Sequence, residues 1–125
     1  MHGIAGPFGG MFKAPHGAVC GRLLPFAMAV NVAALRERAA GSVALARFDE
    51  AARLLTGDER LAAEDGIAWL QALCERFALP PLSAYGFSDP HAADLIAKSL
   101  KSSSMRGNPI DLTEAEVESV LNRSR

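Results

Sequence analysis

Two histidines, His2 and His16, flank a stretch rich in glycine and proline. A chain that doubles back there brings both imidazoles to one point. The rings can then hold a divalent metal at about 2.0–2.2 Å, each oriented through its other nitrogen. By spacing alone, a terminal histidine and a helix-cap histidine account for the pair more simply. Cys20 lies one helical turn beyond His16, on the same face, and offers a His-Cys pair of ligating type. Its apolar neighbours favour a buried thiol instead, and Cys74 reads the same way, so no disulfide is expected. His91 follows Pro90 in the first turn of an expected helix, where it faces water and has no assigned role.

The elements that must position these groups are helices. Alanine and leucine recur at helical spacing and no β-alternation is visible, so the fold class is all-α, a helical bundle. Gly3, Gly6, Pro7, Gly9, Gly10, Pro15 and Gly17 suit a bent connector better than a regular element, with close backbone approach somewhere along it. A largely buried helix follows from His16 to Arg38, kinked or split at Pro25, whose ring removes the hydrogen bond to the carbonyl of Gly21. A helix from Val43 to Leu55 turns Leu45, Phe48, Ala52 and Leu55 inward and stops at Thr56-Gly57. Its partner starts after Asp58, ends before Pro80, and buries Ile67, Leu70, Leu73, Cys74 and Phe77. Asp89 caps a short helix opened by Pro90. Thr113 to Glu116 forms a capping box, with Leu112 and Val117 as its hydrophobic staple.

With 125 residues, 50% of them hydrophobic, the chain suffices for a single domain over residues 1–125. The net charge of −1 is spread along the sequence, which argues against nucleic acid as a partner. No basic leader precedes the first glycines, and no stretch reads as the ~20 apolar residues of a membrane span. A soluble, cytoplasmic protein without a membrane partner is expected.

The run His2-Gly3-Ile4-Ala5-Gly6-Pro7-Phe8-Gly9-Gly10-Met11-Phe12-Lys13-Ala14-Pro15-His16-Gly17-Ala18-Val19, followed by Leu23-Leu24-Pro25, resembles the signature of iron-containing alcohol dehydrogenases. Tyr85-Gly86 to Asp89, Ser102 to Pro109, and Leu112-Thr113 resemble the C-terminal end of the same family. The resemblance implies that His2 and His16 are the last two metal-binding histidines, in a helical domain that faces an α/β cofactor-binding domain. It also implies hydride transfer between an alcohol or aldehyde and NAD(P), with Fe2+ or Zn2+ as Lewis acid. Ser104, in a segment that returns toward the cleft, and Phe8 and Phe12 beside it are substrate-pocket candidates. A polar interhelical loop and aromatic core plugs are the competing readings.

The family's metal site also takes an aspartate and a further histidine from an earlier helix, and this sequence begins after that helix. It contains no glycine-rich phosphate cradle, so no cofactor binding and no activity are expected of the isolated chain. Many members carry another histidine four residues beyond the first ligand, where this chain has Gly6. The alternative is a non-catalytic helical interaction module. On either reading, the missing N-terminal half is a possible partner, and self-association through the exposed former domain interface is expected.

Overall fold

The computed structural model describes residues 1–125 as six α-helices: α1 (His2–Met11), α2 (His16–Arg38), α3 (Val43–Thr56), α4 (Ala63–Arg76), α5 (Asp89–Lys101) and α6 (Glu114–Arg123). Short 3₁₀ turns at Leu82–Tyr85 and Ser103–Gly107 complete the all-helical bundle. The central element is α2, which packs on α1, α3, α4 and α6, while α5 closes over α1 and α6. One core gathers Ile4 and Phe8 from α1, Val19 and Leu23 from α2, Leu95 from α5 and Val117 and Leu121 from α6. A smaller one joins Val32, Ala63 and Ile67, with Leu45 and Phe48 against it.

The stretch read as a bent connector is helical over His2–Met11. Its glycines and Pro7 disfavour a helix locally, but Ile4, Ala5 and Phe8 fall on one face and are buried. Tertiary burial therefore overrides propensity. The expected close approach is at Gly3, where an added Cβ would stand 3.2 Å from the Cα of Met105.

Helix α2 is one helix through Pro25, so of the two expectations, a kink or a split, the split does not occur. The carbonyl of Gly21, deprived of an amide at residue 25, accepts instead the thiol of Cys74 at 3.4 Å. A donor on the neighbouring helix thus replaces the one that proline removes. The same helix corrects the membrane expectation. Over His16–Arg38 an 18-residue window reaches a mean hydropathy of 1.7, long and apolar enough to cross a bilayer, but half of it is buried within the bundle. Its apolar character has a sufficient cause in core packing.

Asn31 is a buried polar residue on this helix. Its amide donates to Ala27 O at 2.8 Å and its Oδ1 accepts from Asn108 at 2.6 Å, which pins the loop before α6 onto α2. Arg22 reaches the other end of the bundle, donating to the carbonyls of Ser124 and Arg125.

The α3–α4 pair forms as expected, with Ser42 capping α3 and Gly57 at φ 73° closing it. Leu55, placed inward by its spacing, is 38% exposed at the C-terminal end of the stripe. Helix α4 starts later than Asp58 predicts, since that carboxylate turns onto Arg60. Asp65 accepts from the Ala62 amide and Asp49 from the Ala63 amide, so the first free donors of α4 are met there. The helix ends at Arg76 and the chain reverses through Ala78 at φ 48°. That reversal leaves Phe77, read as a core residue, 67% exposed.

The cap of α5 is Ser88, one residue before the expected Asp89. His91 Nδ1 lies 3.3 Å from the Ser88 amide and 3.0 Å from its hydroxyl. The ring also meets Phe12 edge to face at 5.2 Å. His91 is therefore half-buried and structural rather than facing water. At α6 the capping box and staple form as read, Thr113 accepting from Glu116 N at 3.2 Å over the buried Leu112 and Val117.

Helices α3 and α4 touch at Gly66, where an added Cβ would fall 2.7 Å from Ala52 Cβ and 2.8 Å from its Cα. Overpacking of this kind costs about 1–3 kcal/mol, against about 1 kcal/mol returned by the better helix propensity of alanine. Gly66→Ala is expected to lower the urea midpoint, a net loss of up to roughly 2 kcal/mol. A variant as stable as the parent would refute the close crossing.

Candidate metal centre

Helices α1 and α2 both begin at the same place. His2 opens α1 and His16 opens α2, and the link from Phe12 to Pro15 lets α1 fold back against α2. The two imidazoles come to lie nearly parallel, 5.5 Å between centroids and 12° between planes. Both histidines are exposed.

Cys20, one turn into α2, forms the floor beneath them. Its Sγ is 3.5 Å from His2 Nδ1 and 3.4 Å from His16 Nε2. One ligand atom from each of the three residues lies within 4.8 Å of the other two. The residue is 9% exposed and packs with Val19 and Leu23 in the main core. Burial pushes its thiol above the ordinary range, while the neighbouring amino terminus pulls it down less strongly. Burial in turn lowers the Met1 amine.

Spacing favoured a core thiol at position 20, and the structure makes Cys20 both a core thiol and the third member of the His cluster. The available signal was its i, i+4 relation to His16. What the spacing lacked was the helical fold of residues 2–11, which brings His2 over the same turn. Cys74 sits apart from this cluster, against Gly21.

The aromatic candidates divide. Phe8 is fully buried and packs on Phe12, Phe87 and Tyr85, so it fills the core instead of lining an open cleft. Phe12 is half-buried between Phe8, Phe87 and His91. Ser104 is exposed within the 3₁₀ turn whose Met105 backs onto Gly3. The segment therefore does return to α1, next to His2. Gly6, one turn beyond His2, meets nothing within 4 Å of a built Cβ, and this side of α1 is open.

The arrangement offers three donor atoms of the kinds that suit a divalent ion of borderline softness. Two imidazoles and a sulfur converge from two helix starts, and nothing bulky separates them.

The model of the Fe-containing alcohol dehydrogenase family, C-terminal, matches residues 1–125. No curated protein and no solved structure gives a significant match.

Cys20 and Cys74 are both free and nearly inaccessible. A thiol-specific chromogenic reagent is expected to label neither rapidly in the native protein and both in denaturant. Fast native labelling of either would contradict the packing.

Proposed function

The chain belongs to the Fe-containing alcohol dehydrogenase family, matching its C-terminal region over residues 1–125, and from that premise we propose that His2 and His16 hold the metal of an NAD(P)-dependent alcohol or aldehyde oxidoreductase. The supporting observation is the convergence of the two rings, reached by an α1 that folds back on α2. When bound, divalent iron or zinc supplies Lewis acidity toward an alcohol or aldehyde oxygen.

The residues of this chain contribute position. Phe8, Ile4 and Ala5 fix the depth of α1 and hence of His2, and Val19 and Leu23 fix the first turns of α2 beneath His16. The open side of α1 at Gly6 leaves room beside the rings for a substrate. In this reading the cofactor cradle and the remaining ligands come from a part of the enzyme other than residues 1–125. Ser104 adjoins Met105, which backs onto Gly3 beside His2, and its part in a substrate pocket belongs to the same proposal, whereas Phe12 stands at the far end of α1.

One observation favours a second reading, a helical module that pairs with another copy of itself. An open groove of about 400 Å³ between α2 and α3 is lined by Leu24, Met28, Ala44, Phe48, Ala51 and Pro109, with Arg47 the one charged residue. A strictly monomeric result from light scattering at high concentration overturns it.

Calorimetric titration of the purified chain with Zn2+, or with Fe2+ under anaerobic conditions, tests the ligand assignment. Outer-shell partners alone are worth about 10–100-fold in affinity, so His2→Ala and His16→Ala are each expected to weaken binding by at least about tenfold. Unchanged affinity in both variants would sink the assignment. The loaded chain is expected to reduce neither NAD nor NADP with primary alcohols, and measured turnover would show that these residues suffice for catalysis.

A further inference from the structure

We propose that Cys20 is a third metal ligand, so that residues 1–125 carry a site of two nitrogens and one sulfur, from His2, His16 and the Cys20 thiolate. The inference rests on the reading of His2 and His16 as ligands and adds to it a donor of different charge and softness.

Distance is the first argument. A tetrahedral zinc with Zn–N of about 2.0–2.1 Å and Zn–S of about 2.3 Å places its sulfur roughly 3.6 Å from each coordinated nitrogen. Cys20 Sγ lies 3.5 Å from one imidazole nitrogen and 3.4 Å from the other. Without a metal, the thiol can donate to one ring nitrogen and accept weakly from an N–H of the other, and both contacts then stay at hydrogen-bond distance. A shared cation would replace both contacts with bonds to one centre at the same spacing.

Charge is the second. His2 and His16 stand at the N-terminal ends of α1 and α2, where each helix presents roughly half a positive charge. Neither α1 nor α2 has an acidic residue in its first turn. Among the donors of residues 1–125, two neutral imidazoles alone would leave a divalent cation facing both helix ends with no compensating charge. Coordination by Cys20 forms the metal–sulfur bond, releases the thiol proton to solvent, and places an anion directly in the metal's shell.

Burial is the third. At 9% exposure, with Val19 and Leu23 around it, the sulfur is held in place by the core. The two exposed rings can adjust around this fixed point. A soft donor at the floor of the site favours zinc and cobalt over magnesium or manganese.

Cobalt(II) reports the bond directly. Anaerobic titration of the purified chain with Co2+ is expected to raise a near-ultraviolet thiolate-to-cobalt charge-transfer band that saturates at one ion per chain. Excess Zn2+ should displace it, and excess Mg2+ should not. Cys20→Ser is expected to abolish the band and weaken Zn2+ binding by about tenfold or more, whereas Cys74→Ala keeps it. Bound zinc should also slow alkylation of Cys20, read by mass spectrometry of the parent protein, independently of whether the serine variant folds. Binding that depends on both histidines but shows no charge-transfer band and no protection of Cys20 overturns this proposal and leaves the histidine assignment intact. Binding indifferent to His2, His16 and Cys20 overturns both.

Discussion

The candidate centre depends on one contact, the burial of α1 against α2 and α5. Helix α1 has ten residues, several of them glycine. A peptide of that length and composition does not hold a helix by itself in water. It is ordered because Ile4, Ala5 and Phe8 are removed from solvent by the rest of the bundle. Gly3 permits the approach by leaving room for Met105, and the aromatic group of Phe8, Phe12 and Phe87 closes the end of the helix away from His2. Because this contact alone carries His2 to the beginning of α2, docking of the helix and assembly of the cluster are one event. Any ligand that bridges His2 to α2 adds its binding free energy to that docking.

The bundle supports this contact from behind. Helix α2 runs through the middle and is tied at several levels by polar groups whose partners are far away in sequence. Asn31 holds the loop at Asn108, Arg22 holds the carbonyls at the chain's end, and Arg38 meets Glu116 at 2.8 Å. The buried amide pair fixes register in a core otherwise made of alanine, valine and leucine. The ion pairs at the surface contribute less, since both partners remain hydrated.

Much of this was legible in the sequence. Helical periodicity marked α2, α3 and α6, and the stops and caps at Gly57 and Thr113 were readable because a single local interaction decides each. The errors lie where a distant residue decides. Residues 2–11 carry every local sign of a loop, and only the face buried by α5 and α2 makes them a helix. Asp58 looked like a cap until Arg60 took its carboxylate, and Phe77 looked buried until the turn at Ala78 carried it outward. The histidine pair was visible as two residues of the right type. Cys20 was visible beside His16 as a His-Cys pair, but its apolar neighbours gave a sufficient reason for a buried thiol.

The thiol of Cys74 shows how such long-range dependence spreads. It donates to Gly21 O, the carbonyl that the missing amide of residue 25 leaves free. Proline at 25 and cysteine at 74 therefore form an energetic pair. With an ordinary residue at 25 the helix satisfies its own carbonyl, and position 74 is released to be any apolar residue of similar volume. With proline there, losing the thiol leaves the half-buried Gly21 carbonyl without that donor. The two positions are non-additive, although they lie on different helices and neither touches the metal centre. Position 74 is released only after change at position 25, so a single weak sulfur hydrogen bond makes the order of the two substitutions matter.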